Sequence, residues 1–350
     1  MRVAVDAQQT VGTSTGIGAY CRGLLEALTE GGIDVVALRD PHVDPWRFDR
    51  RVIWDQGLLP LRAMRSGASL LHCTSGSVPL VRTLPTVVTV HDVAWLRGVQ
   101  AHAPAYARWY FGAFSGARWQ GAGAVIVDSA FTRGELLAST SVSPAKVTVV
   151  HPGVDASFSA LVRRPSAEVT LLCVGTVERR KNASIAIEAL ASIPQARLLC
   201  AGPATPYQDE CAELARKLGV DDRVTFLGYV EPGRLAELYA TATIALAPSR
   251  YEGFGYAAAQ ALCAGIPLLA ARASSHIEVV GDDATLLDPG DATAWTRAIA
   301  ALLEDRQRSE AIAHARRARA SQRFSWTAAA AATSGVYREV LEGPRRDDGL

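Results

Sequence analysis

The sequence predicts an α/β protein built from two doubly wound domains with parallel sheets, and three observations lead there. Short, apolar, β-branched runs alternate with helix-length stretches along nearly the whole chain, the rhythm of βαβ units whose sheets are buried on both faces. A length of 350 residues supplies two full-sized cores. Periodicity lapses over 152–167, where Pro152, Gly153, Pro165 and the Arg163-Arg164 pair have the composition of a linker. The boundary is therefore expected near residue 164, giving domains 1–164 and 165–324 and a last helical piece, 325–343.

Taken in order, the first half offers strands at 3–5, 33–38, 69–73, 86–91, 124–128 and 147–151, each rich in Val, Ile or Leu. The second half repeats the rhythm at 169–174, 197–201, 224–227, 244–247, 267–270 and 285–287. Helices are expected between them. The run Gly12-Thr13-Ser14-Thr15-Gly16-Ile17-Gly18 opens one that continues to Glu30, and others cover 183–192, 257–264, 292–303 and 309–322. After Phe324-Ser325-Trp326 an Ala-rich helix runs to Glu342, and 345–350 is expected to fray.

Composition narrows the function. Lys+Arg 36 against Asp+Glu 35 gives a net charge of +1, which provides no long-range field for a duplex, so nucleic acid is not the expected partner. The six cysteines, Cys21, Cys73, Cys173, Cys200, Cys211 and Cys263, form no Cys-x-x-Cys and sit mostly in apolar runs, as small reduced core residues do. The chain starts with a strand-like run into Asp6 instead of a charged start and long apolar core, so a cytoplasmic location is expected. The uncharged stretch 253–271 contains Gly253, Gly255, Gln260, Gly265 and Pro267 and reads as buried helix then strand, not as a membrane span.

Two loops in the second half carry the candidate chemistry. The strand at 244–247 is followed by Pro248-Ser249-Arg250-Tyr251-Glu252-Gly253-Phe254-Gly255-Tyr256 and then by a helix. In a doubly wound sheet, ligands bind where a strand's carboxyl end leads into a helix, and the helix N-terminus favours an anion such as phosphate. Glu252 would stand beside that anion and meet sugar hydroxyls, although this loop alone is equally a tight turn with a surface acid. The segment Gly175 to Asn182 occupies the same kind of place, and Arg180 and Lys181 suit a diphosphate leaving group. Alone, an Arg-Arg-Lys run also makes a solvated turn.

In the first half His91-Asp92 ends an apolar strand, facing a ligand or serving structure. The glycines Gly12 to Gly18 are similar to the cofactor loop of short-chain dehydrogenases. However, Asp6 to Val11 separates them from the first strand, and no Tyr-x-x-x-Lys pair exists. They read better as a backbone lip for an acceptor or a phosphate. No Asp-x-Asp, Walker loop or Gly-x-Ser-x-Gly elbow is present, so no metal site and no cofactor is expected.

Together these residues resemble the retaining GT-B glycosyltransferases of family 4, the group 1 glycosyltransferases, along nearly the whole chain. The most specific part is Tyr251-Glu252-Gly253-Phe254-Gly255 followed by Ala261-Leu262-Cys263-Ala264-Gly265-Ile266-Pro267. Arg180-Lys181-Asn182, Thr89-Val90-His91-Asp92, Val127 to Thr132, His151 to Asp155, Ser274 to Glu278, Gly16-Ile17-Gly18 and Phe324-Ser325-Trp326 also look like family segments. The resemblance implies two Rossmann-like domains facing a cleft, with a C-terminal helix returning to the first. It implies transfer, with retention, of a sugar from a nucleotide-diphosphate donor (GDP- or UDP/dTDP-linked) to a carbohydrate or lipid-linked acceptor, without a metal. His91, Glu252, Arg180 and Lys181 would take catalytic roles. Gly16, Gly18, Gly253, Phe254, Gly255, Tyr256 and Gln260 would take donor-binding ones. The resemblance in Arg180-Lys181-Asn182 and Ser274 to Glu278 leans toward mannosyl enzymes of surface polysaccharide or glycolipid assembly.

One position departs from the pattern. The second acid of the family's Glu-x7-Glu motif is Gln260, which forgoes a charge-assisted bond to the ribose. An inactive accessory homologue that binds nucleotide sugar is the alternative this raises. The segment 104–120, with Tyr106, Trp109, Tyr110, Phe111, Phe114 and Trp119 beside Arg108 and Arg118, is either a core helix or a peripheral contact with the inner face of the membrane.

Overall fold

A computed structural model describes residues 1–12, 16–99 and 104–343. Among the described residues twelve strands form two six-stranded sheets, and every pairing is parallel. The first sheet holds β1 (Arg2–Asp6), β2 (Asp34–Leu38), β3 (Leu70–Cys73), β4 (Thr86–Val90), β5 (Ala124–Val127) and β6 (Val147–Val149) in the order β2-β1-β3-β4-β5-β6. The second holds β7 (Val169–Val174), β8 (Ala196–Ala201), β9 (Val224–Gly228), β10 (Ile244–Ala247), β11 (Leu268–Ala271) and β12 (Thr285–Leu287) in the order β12-β11-β10-β7-β8-β9. Read from β9, the second order is the dinucleotide-binding 3-2-1-4-5-6. The first is the 2-1-3-4-5 variant extended by one strand.

The inner strands β5, β10 and β11 read as continuous apolar runs because both of their faces are covered, whereas β2, β9 and β12 are partly exposed. In the second sheet Leu268 and Ala270 of β11 join one core with Ala245, Ala247 and Phe254, while Leu269 and Ala271 join the other with Ile244, Leu246 and Trp295. The first sheet alternates likewise, with Val88, Val90, Val125 and Val127 on one face and Val87, Ala124 and Ile126 on the other. All six cysteines are buried and unpaired.

Four helices matter below: α1 (Gly16–Glu30), α2 (Ala183–Leu190), α3 (Tyr256–Ala264) and α4 (Trp326–Glu342). Ser325 caps α4 by accepting from the Ala328 amide, which fixes where the chain turns after Phe324. α4 lies on α1, with Trp326 seated where a Cβ on Gly23 would come within 2.1 Å and one on Gly153 within 2.4 Å of its ring. Its Tyr337 hydroxyl meets His72 Nδ1 at 2.7 Å, and His72 Nε2 meets Thr89 Oγ1 at 2.8 Å.

Chain contacts divide the molecule into Met1–Gly153 joined by the chain from Ser325 on, and Val154–Phe324. The boundary expected at residue 164 therefore lies eleven residues past the observed change. The cause is local. Arg163 binds the carbonyls of Tyr239 and Ala242 and the carboxylate of Glu310, and the Arg164 amide donates to Ala240, so this stretch is tied into the second unit.

The aromatic segment expected as one helix begins at Ala105 but widens to π-helical hydrogen bonding over Trp109–Phe114. Among the described residues, no helix is long and apolar enough to cross a membrane.

Candidate functional site

In the second sheet the topological switch falls between β7 and β10, which pair as Ile244↔Leu171 to Leu246↔Cys173. The two loops singled out by sequence leave the carboxyl ends of these two strands, so they are neighbours. The first tightens into a 3₁₀ turn, Arg179–Lys181, and ends on Asn182 in the left-handed region at φ 60°. Asn tolerates that region better than most residues. Its buried side chain donates to the carbonyls of Pro248 (3.1 Å) and Pro289 (2.9 Å), and the Arg250 amide donates to the Arg180 carbonyl at 2.8 Å. The turn is thereby fastened to the loop after β10.

This fastening brings opposite charges together. Lys181 Nζ lies 2.5 Å from Glu252 Oε1, Arg180 Nη1 lies 3.2 Å from Glu252 Oε2, and Arg180 Nε lies 2.8 Å from Glu178 Oε1. Glu252 is only 7% exposed. Burial alone would raise its pKa, but Lys181, Arg180 and His276 overcome it and hold the carboxyl at about 2 instead of the usual 4.5. The Glu252 amide donates to Ser274 Oγ at 2.9 Å, and Ser274 itself sits at φ 49°. Strained backbone of this kind collects at functional sites.

Behind Glu252 the chain enters α3 through Gly255, whose φ of 91° and proximity to His276 leave no room for a side chain. A Cβ there would fall 2.7 Å from His276 Cδ2. Gly202 is demanded in the same way, since a Cβ on it would meet the Gly175 carbonyl oxygen at 2.0 Å. Together Gly175, Thr176, Lys181, Ser249, Glu252 and His276 line a hollow at the strand ends. Phe254 turns its ring into the core against Phe324 and Tyr256, so only its backbone is offered to a ligand. Gln260 stands one helical turn after Tyr256, its Oε1 3.4 Å from the Tyr239 hydroxyl.

In the first unit His91 follows β4, flanked by β3 and β5. Its Nδ1 lies 2.7 Å from Asp128 Oδ2 and its Nε2 lies 2.8 Å from the Thr74 carbonyl. A carboxylate and a carbonyl both only accept, so the arrangement favours hydrogen on both ring nitrogens and hence the charged ring. Burial works against that charge, yet Asp128 outweighs it and the pKa lies above 6.5. A ligand hydrogen bond from Nε2, which the catalytic role implied for His91 could use, would displace the Thr74 carbonyl. The ring of Tyr20 from α1 meets His91 edge-on at 4.6 Å.

Gly16 opens α1 with nothing within 4 Å of where its Cβ would be, and Gly18 is buried in the same helix. Thr13, Ser14 and Thr15 of the glycine run lie outside the described residues. Among the described residues no group of three His, Cys, Asp or Glu is disposed to hold a metal.

Sequence reasoning did not single out Glu178, Asp128 or His276 as site members. Each lies just beyond the carboxyl end of a strand, and that position was the available signal.

Two family models match adjoining parts of the chain: Glycosyltransferase Family 4 over residues 14–158 and Glycosyl transferases group 1 over residues 159–319. The D-inositol 3-phosphate glycosyltransferase of Kineococcus radiotolerans is 30% identical over 299 residues, covering 76% of this chain and 67% of that protein. The protein of the same name from Xylanimonas cellulosilytica is 35% identical over 218 residues, covering 56% of this chain and 52% of its own length. The match to this second relative thus spans about half of that protein. The sucrose-phosphate synthase of Thermosynechococcus elongatus superposes with a TM-score of 0.80 at 22% identity, covering 98% of this chain and 99% of that one. That likeness is one of fold.

Proposed function

This chain belongs to the group 1, family 4 glycosyltransferases, and on that premise we propose that it moves a hexose, with retention, from a nucleotide-diphosphate sugar held at the β7–β10 switch point to an acceptor hydroxyl. The observation that carries this reading is the clamp of Arg180 and Lys181 on Glu252, beside the N-terminus of α3. In the transfer, the bond from the anomeric carbon to the diphosphate oxygen breaks and its electron pair leaves with the nucleoside diphosphate. The acceptor oxygen bonds to the same face of the sugar, and its proton passes to the departing phosphate. Negative charge thus grows on the diphosphate, where cations and amides already in place lower the barrier most. Glu252 holds the two cations ready and offers a carboxylate to sugar hydroxyls.

The finer reading is a mannose-type hexose delivered to a polysaccharide or glycolipid acceptor. It rests on the resemblance of Arg180-Lys181-Asn182 and Ser274 to Glu278. Inositol 3-phosphate enters the acceptor panel through the names of the relatives. Gln260 favours a second reading, a subunit that binds donor without turning it over.

The test starts with a thermal-shift panel of GDP-, UDP- and dTDP-sugars, followed by a turnover assay with the donor that stabilises most. Lys181→Ala is expected to lower turnover about a hundredfold, the scale of one lost oxyanion donor, with the fold retained at a lower melting temperature because buried Glu252 loses its main cation, and wild-type activity is expected to survive chelator. Unchanged turnover in the variant removes Lys181 from the mechanism. Donor binding with no turnover on any acceptor selects the second reading.

A further inference from the structure

The hollow at the carboxyl ends of β7 and β10 holds an ionisable ring that the proposed transfer leaves without a task. His276 opens the short helix His276–Val280 after β11 and is 1% exposed. It lines the hollow together with Lys181 and Glu252. Its side chain hydrogen-bonds the Ala271 carbonyl, whereas its buried Nδ1 has no partner. The hydroxyl of Ser275, the residue before it, is fully buried and equally without a partner. Gly255 admits both side chains, since a Cβ there would fall 2.7 Å from His276 Cδ2 and 3.9 Å from Ser275 Oγ. Buried polar groups are nearly always paired, so two adjacent orphans against a ligand loop point to a partner that arrives with the ligand.

Electrostatics decide what that partner must be. Burial and the Lys181 ammonium push the His276 pKa down, against the opposing pull of Glu252 and the Ala271 carbonyl. The ring is therefore uncharged at neutral pH. It becomes charged in the acid range, where it joins Lys181 and Arg180 in keeping Glu252 ionised. The elements packed against its helix, α3, β11 and β12, carry no charged side chain. The other charged groups nearby are Glu278 on the same helix, Asp282 and Asp283 on the next turn, of which Asp283 pairs with Arg319, and Arg323, which donates to the carbonyls of Glu278 and Val279. None of these displaces the ring. A nucleotide sugar reverses the balance, because both of its phosphates are esterified and stay ionised through the neutral range. Seated beside Lys181, they offset the ammonium that keeps the ring neutral and bring oxygens that can accept from a second ring N–H.

We propose that His276 is a donor-binding residue that takes up a proton from solvent when the diphosphate enters the hollow, and so becomes a further cation of the donor site beside Arg180 and Lys181. The proton binds the lone pair of the unprotonated ring nitrogen, and no covalent bond to the donor forms. The charge is then in place for the diphosphate that departs. Without donor it is absent, which spares the site the repulsion of another cation next to Lys181. The inference rests on reading the hollow as a nucleotide-sugar site.

The experiment is titration calorimetry of the full chain with UDP-glucose, GDP-mannose and dTDP-glucose at neutral pH, in buffers of low and high ionisation enthalpy. The difference in heat between buffers counts the protons taken up. Wild type is expected to take up close to about one proton per nucleotide sugar bound. Its affinity should fall as the pH rises, by up to about tenfold per unit, across the window between the pKa of the free and the bound ring. His276→Gln keeps a polar side chain that cannot titrate, and it should bind with no uptake and no such fall. Imidazole NMR of wild type carries the test if the variant loses its fold: His276 should titrate at a higher pH with the nucleotide sugar than without it. Binding without proton uptake, equal uptake by wild type and His276→Gln, or a ring that titrates alike in both states overturns the inference and leaves the proposed reaction standing. Absence of binding by all three nucleotide sugars overturns both.

Discussion

Two ionisable residues in this protein are displaced in opposite senses from their ordinary behaviour. Glu252, held at about 2, contributes stability that is complete above pH 4.5 and is lost as the pH falls toward 2, so the clamp on Arg180 and Lys181 persists at any working pH. His91, whose pKa lies above 6.5, contributes stability that is complete below that pH and is lost as the pH rises through its raised value. Asp128→Asn should lower the His91 pKa, since burial is then opposed only by the Thr74 carbonyl and the more distant charge of Asp92. Imidazole resonances followed by NMR should show His91 titrating at a lower pH in the variant than in wild type. Coincident titrations would mean that the His91–Asp128 pair is not formed in solution. Both residues stand where a strand ends, and in each case a neighbouring strand supplies the partner.

At the level of elements, glycines decide where two chain segments approach. Gly255→Ala must accommodate both a φ of 91° and a His276 ring 2.7 Å away, so a loss of about 1 to 3 kcal/mol is expected, read as a fall of several degrees in melting temperature. Gly16→Ala, with open space around it, should melt like wild type or slightly higher. Equal melting of the two variants would deny the tight turn into α3. The strands were legible because a parallel strand buried on both faces must be apolar throughout, and each expected run overlaps an observed one. Arg180, Lys181 and Glu252 were legible as strand-end residues, although only the strand order shows that β7 and β10 are adjacent. Asn182 as a fastener, Ser274 beneath the Glu252 amide and Glu178 behind Arg180 were not, because their roles depend on contacts between loops distant in sequence. The domain boundary was misplaced because the Arg163-Arg164 pair has the composition of a linker, whereas its guanidinium and amide are spent on carbonyls of the second unit.

Considered as a whole molecule, the first unit is completed from the far end of the chain. Ala329, Ala330, Val336 and Tyr337 of α4 are part of its core, and Tyr337 provides the partner for a His72 ring that burial keeps neutral by pushing its pKa down to about 3. Truncation after Phe324 is therefore expected to strip hydrogen-exchange protection from residues 1–153 and leave 154–324 protected. Uniform protection of both units in the truncated chain would show α4 to be dispensable. The same connectivity bears on biosynthesis. Domains usually mature in the order in which they leave the ribosome. Here the earlier-made sheet has to wait, its α1 face uncovered, while the later-made one emerges and can fold, until the final helix arrives. A translation pause or a stop between the codons for Phe324 and those for α4 would thus damage the half of the enzyme that was synthesised first.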